Sequence, residues 1–118
     1  MSPRVCILDY GSGNVTSVRN SFLRLQIECI ISNEIQDILG ASHLVLPGVG
    51  AFKTSMERIK EKLPITEIHA QILLGKPFLG ICVGMQVLFE KSTEHSGEGV
   101  FEGLNEWPGT VEKLVAPV

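Results

Sequence analysis

Cys82 stands between two glycines in the stretch GICVG (80–84), after the apolar run PFL and before VGMQVLFEKS. A nucleophile on a tight strand-to-helix turn needs small neighbours, because the backbone bends sharply and adjacent Cβ atoms crowd. Gly80 and Gly84 supply that room. At the start of a helix, backbone N–H groups and the positive end of the dipole favour thiolate over thiol. The N–H of Val83, the next residue, can then donate to a developing oxyanion. The chemistry this pattern serves is acyl transfer by a thiol. A free cysteine is otherwise often a small core residue. Cys6 and Cys29, which lack flanking glycines, are read that way.

A second stretch adds to the first. In PGVG (47–50) proline sets one turn torsion and two glycines free the rest. Such a loop can turn the N–H groups of Val49 and Gly50 toward an oxyanion. Alone it reads as an ordinary strand-ending turn. Beside GICVG it reads as half of an acyl-transfer site.

The elements that must hold these loops alternate along the chain. RVCILDY (4–10) is an apolar run ending in Asp9 and the glycines of GSGN, a buried strand entering a turn. Residues 14–25 place Val15, Val18, Phe22 and Leu25 at helical spacing, with Asn14 in position to cap. Residues 27–32 form a second strand, and 33–39 a short helix capped by Asn33. HLVLPGVG (43–50) is a third strand meeting the Pro-Gly turn. Residues 51–63 and 64–75 are helical, the latter with Pro64 in its first turn and Gly75 ending it. Residues 77–81 are the fourth strand, and 83–92 the helix after it. This order predicts a three-layer α/β domain over 1–118, flavodoxin-like, with a mostly parallel sheet and helices on both faces. Ligands in such sheets sit at the carboxyl ends of the strands, which singles out DYGSGN, PGVGAF and GICVGM. The tail (95–118) is Gly-rich and predicts a hairpin or short strands. It stops on the apolar KLVAPV, and the expectation is a C-terminally incomplete domain, a fragment or a natural truncation, because a halted open sheet leaves an edge uncovered.

Composition excludes several classes. The chain has 118 residues and is 44% hydrophobic, enough for one domain with a core. Ten basic against thirteen acidic residues, without a basic cluster, argues against nucleic acid as a partner. No apolar run reaches the roughly 18 residues of a membrane helix, so no membrane partner is expected. The N-terminus lacks the apolar segment of a signal peptide. Three widely spaced cysteines do not form a disulfide framework and fit a reducing cytoplasm. No residues have metal-ligand spacing, and neither metal nor cofactor is expected.

DYGSGN, LVLPGVGAF and PFLGICVGMQVLFEKSTE, in this order and spacing, resemble the class I (triad-type) glutamine amidotransferases. The likeness is nearest to the glutaminase subunits of imidazole glycerol phosphate synthases, from histidine biosynthesis. GLNEWPGTVEKL (103–114) looks like a variant of their G-L-x-x-x-P-G-x-V segment. The resemblance implies a glutaminase. Cys82 would attack the carboxamide carbon of glutamine, and Val49, Gly50 and Val83 would hold the oxyanion, after a peptide flip triggered by the partner's ligand. Gly48 and Gln86 would contact the substrate. Ammonia would pass to a (β/α)8-barrel cyclase in a heterodimer. The resemblance also implies a base and its orienting carboxylate in an H-x-E element, and no such element occurs in the 118 residues. His43 opens a strand at the far end of the sheet, and His69 lies in a helical pattern. His95 follows the nucleophile's helix, beside Glu94 and Glu98, which read as a solvated turn. None is assigned as base, so the chain by itself is expected to be inactive or nearly so.

Other readings stay open. The same motifs occur in paralogues feeding ammonia to surface polysaccharide synthesis. A catalytically dead partner-binding module would also lack H-x-E, although it would have no need of GICVGMQ. A nucleotide-binding reading takes DYGSGNVTS as a phosphate loop, yet it matches only the first part of the dinucleotide fingerprint, with Thr16 where the third glycine would stand.

Overall fold

The structure is a computed structural model that describes residues 3–94 and 99–115. Strand β1 (Arg4–Leu8) leads to helix α1 (Val15–Arg24), β2 (Glu28–Ser32), α2 (Ile35–Gly40) and β3 (His43–Leu46). Two helices follow, α3 (Phe52–Lys62) and α4 (Ile65–Leu73), then β4 (Phe78–Gly80), α5 (Val83–Gln86), β5 (Phe89–Ser92), β6 (Phe101–Glu102) and β7 (Trp107–Val111). The first four strands form one sheet in the order β2-β1-β3-β4, and every pairing is parallel. The predicted α/β architecture is the one observed.

Alternation along the strands divides two cores. Cys6, Leu8, Leu44 and Leu46 face the side covered by α2, α3 and α4, where they meet Ile38, Phe52, Met56, Ile59 and Ile68. Val5, Ile7 and Val45 face α1 and its Val18. Strands buried on both faces read as continuous apolar runs, which is why RVCIL and HLVL are legible as strands. Each fully buried Leu or Ile contributes about 2 kcal/mol. Chain order reverses between β1 and β3, and in parallel α/β sheets such a reversal marks the carboxyl end where ligands bind. At the other side β4 pairs with β3 alone among the described residues, and its Leu79 is 50% exposed. No helix among the described residues is long and apolar enough to cross a membrane.

Two local expectations change. Ser32, not Asn33, serves the start of α2: its Oγ accepts from the Glu34 N–H at 3.0 Å and donates to Asp37 Oδ2 at 2.6 Å. The helix expected over 83–92 is a single turn, followed by β5 in a second sheet of order β6-β5-β7. The carbonyls that would extend the helix are occupied by a later segment. Val87 O accepts from Leu104 N, Leu88 O from Glu106 N and Trp107 N, Phe89 O from Asn105 N, and Glu90 O from Gly103 N. Each backbone acceptor needs a partner, and here the tail supplies it. The tail itself forms β6 and β7, the short strands expected of it.

Cys6 is fully buried. Burial pushes its thiol from 9.0 up to about 11, with Asp37 adding to the rise and Lys76 opposing it. A folded-state value above the unfolded one gives stability that is present below 9.0 and lost as pH rises through about 11. Urea resistance of the native chain is therefore expected to drop by about 3 kcal/mol more over that range than in Cys6→Ala. Equal slopes in the two chains would remove this thiol as the cause.

Candidate active site

Cys82 occupies the turn between β4 and α5 with φ 55° and ψ −125°. A non-glycine residue at positive φ is strained and persists only where its surroundings hold it. Two glycines show how it is held. A Cβ at Gly80 would lie 2.6 Å from Met85 Cα, so α5 folds back onto its own strand. A Cβ at Gly84 would run into Leu46 O and lie 2.8 Å from Leu46 C, so α5 also presses on the end of β3. Ile81 N donates to Leu46 O at 3.0 Å, and the Cys82 carbonyl accepts from Met85 N at 2.9 Å and Gln86 N at 3.2 Å. Cys82 itself is exposed and unpaired as a free thiol. With four residues, α5 aligns far fewer peptide dipoles than the ten-residue helix expected from sequence.

The PGVG loop lies against this turn. Gly48 is wedged between it and β1's loop: a Cβ there would overlap Val83 Cγ1 and lie 2.7 Å from Gly84 N and 2.6 Å from Tyr10 Oη. Gly48, Val83 and Gly84 are therefore brought together. Val49 and Gly50 continue outward, both exposed, with Gly50 at φ 99°. The N–H groups of Val49, Gly50 and Val83 have no acceptor among the described residues. Gln86 is half-buried, one turn along from Cys82.

Two residues to which the sequence reading gave no anchoring role hold these loops. Tyr10, 3% exposed, donates its phenolic hydrogen to Pro47 O at 2.5 Å. Burial raises its ionisation above the usual tyrosine value, while the nearby Ser12 and Ser55 and the charge of Arg58 oppose the rise. A tyrosine at the carboxyl end of β1, beside the strand-order reversal, was the available signal. Glu94 is not a free solvated side chain: its Oε1 accepts from Phe52 N at 3.2 Å and caps α3, the helix that follows PGVG. Asn14 stands at the N-cap position of α1 but does not cap with its side chain, which accepts from Ser12 Oγ at 2.6 Å.

Two of the three histidines fall among the described residues. His43 begins β3, at the opposite end of the sheet from Cys82, with Nδ1 2.7 Å from Ser42 Oγ. His69 on α4 binds Glu106 Oε1 through Nδ1 at 2.6 Å. His95 and Glu98 lie outside the described residues. Among the described residues no three His, Cys, Asp or Glu side chains gather as a metal site would require.

A family model described as glutamine amidotransferase class-I matches residues 6–114. Among curated proteins, the imidazole glycerol phosphate synthase subunit HisH of Thermobifida fusca is 48% identical over 118 residues, covering 100% of this chain and 55% of that protein. The HisH subunit of Renibacterium salmoninarum is 45% identical over 118 residues, 100% of this chain and 53% of that protein. The chain spans about half the length of the curated relatives it matches. Among solved structures, a glutamine amidotransferase superposes with TM-score 0.70 at 20% identity, covering 92% of this chain and 56% of that one. A peptidase E protein from Listeria monocytogenes superposes with TM-score 0.68 at 13% identity, over 87% of this chain and 62% of that one. At those identities the two superpositions speak for the fold.

Proposed function

Because the chain belongs to the class-I glutamine amidotransferase family, we propose that it carries the nucleophile and oxyanion loops of a glutaminase. Cys82 Sγ, as thiolate, attacks the carboxamide carbon of glutamine, and the N–H groups of Val49, Gly50 and Val83 receive the oxygen as it becomes negative. Collapse breaks the C–N bond, releases ammonia with a proton from a general acid, and leaves a γ-glutamyl thioester. Water then hydrolyses the thioester to glutamate and returns the thiol. Gly48 and Gln86 line the substrate's approach. The relatives are named as subunits of an imidazole glycerol phosphate synthase, and the reading extends to ammonia passing to a (β/α)8-barrel cyclase that makes imidazole glycerol phosphate in histidine biosynthesis.

The observation that supports this best is the strained Cys82 turn. A core cysteine has no use for φ 55° or for two glycines that let backbone approach backbone. A glutamine-shaped chloroketone tests it. The thiolate displaces chloride, a C–S bond forms, and the thiol proton goes to solvent. Intact-mass and peptide analysis should find one adduct, at Cys82 and not at Cys29 or Cys6, lost in Cys82→Ala. Adducts spread over Cys29, or no adduct, would refute the reading.

A further inference from the structure

We infer that Tyr10 is a positioning residue for the oxyanion loop: its hydroxyl clamps the Pro47 carbonyl and so fixes which part of PGVG is rigid and which can turn. This rests on the glutaminase reading above and adds to it the device that orients the loop.

The geometry is that of a hub. Tyr10 comes from the loop after β1, Pro47 from the loop after β3, and Ser55 from α3. The buried phenol donates to the Pro47 carbonyl, with Ser12 and Ser55 close beside it. Gly48 lies directly beside it, at the only residue type that fits, since a Cβ at that position would be 2.6 Å from Tyr10 Oη and would also overlap Val83. One hydroxyl therefore holds the peptide that leads into the loop and, through Gly48, bears on the first turn of α5 beneath Cys82. Past Gly48 the restraint ends. Val49 is 53% exposed, and Gly50 sits at φ 99° with open space where a Cβ would be. The clamp divides the loop into a fixed base, Pro47–Gly48, and a free tip, Val49–Gly50. The tip's N–H groups can then be presented in one orientation without carrying the base along. Loss of the clamp lets both move, and pre-aimed donors lose most of their effect when they must reorganise.

The groups facing the phenol are Ser12 on its own loop, Ser55 and the Arg58 guanidinium on α3, and the Pro47 carbonyl. Asp9, next in the chain, uses Oδ1 to accept from Gly11 N at 3.2 Å. Arg58 also reaches Gly11 O at 3.4 Å. The neutral phenol can donate to Pro47 O, whereas the phenolate cannot. Since burial raises the phenol's ionisation, the clamp holds through neutral pH and opens as pH rises through that raised value.

The chain has one tyrosine, so growth on a ring-fluorinated tyrosine alters Tyr10 alone and makes its phenol more acidic. The readout is the ratio of two labelling rates at Cys82, the glutamine-shaped chloroketone over iodoacetamide. Both need the thiolate, so its population cancels. Only the first places a ketone oxygen where the loop N–H groups would stabilise it. Tyr10→Phe is expected to lower the ratio about tenfold, the worth of one hydrogen bond, through the maximal labelling rate and not the half-saturating concentration. The fluorinated chain should keep the ratio at neutral pH and lose it at lower pH than the natural chain. This second arm carries the test if Tyr10→Phe fails to fold by circular dichroism. If the natural chain prefers the L- over the D-chloroketone and both altered chains keep its ratio at every pH, the Tyr10 assignment is wrong and the glutaminase reading stands. If the natural chain shows no such preference, the glutaminase reading falls and the Tyr10 assignment with it.

Discussion

Glutamate release by this 118-residue chain is expected to run about a thousandfold or more below that of a full-length HisH relative, with or without a barrel cyclase present. The deficit follows from chemistry rather than from folding. A thiol can add to an amide carbonyl, but the amide nitrogen leaves poorly until it is protonated to depart as ammonia, and water attacks a thioester slowly until a base takes its proton. One positioned imidazole normally does both. His43 is at the far end of the sheet, His69 is bound to Glu106, and the sequence contains no H-x-E. A coupled glutamate-dehydrogenase assay measures the rate. Turnover within tenfold of the relative would mean that one of the three histidines is the base, and alanine variants at His43, His69 and His95 would identify it.

Gly84→Ala should be the most damaging single methyl in the fold. Its Cβ would run into Leu46 O, and neither α5 nor β3 can give way without moving backbone. A loss of more than about 3 kcal/mol in urea unfolding is expected, the range of forced overpacking. Gly75→Ala is the comparison. Gly75 has open space around it but φ 90°, so the cost there is the torsion alone, about 1 kcal/mol. If Gly84→Ala costs no more than Gly75→Ala, the turn bearing Cys82 is not pressed against β3.

What the sequence made legible was local. Strands β1 and β3 are runs buried on both faces, and the loops of the parallel strands fall at one end of the sheet by rule. GICVG announced the turn because both glycines are needed there for a reason of contact. What stayed hidden depends on partners distant in sequence. VGMQVLFEKS has apolar residues at helical spacing, and nothing within it reveals that the carbonyls of 87–90 are spoken for by 103–107. Tyr10 drew no role from the sequence, because the acceptor that gives it one is 37 residues away. Glu94 looked solvated for the same reason, its partner being Phe52, 42 residues earlier.

The half-bared β4 has a consequence at the bench. Its free flank offers unsatisfied amides to any extended chain, and Leu79, with Leu73 and Leu74 72% and 80% exposed, makes the region adhesive. Overproduction will drive the polypeptide toward inclusion bodies, and sulfate salts will hasten precipitation by strengthening apolar burial. Leu79→Lys places a gatekeeper charge on that exposed strand and is the first remedy for obtaining soluble material.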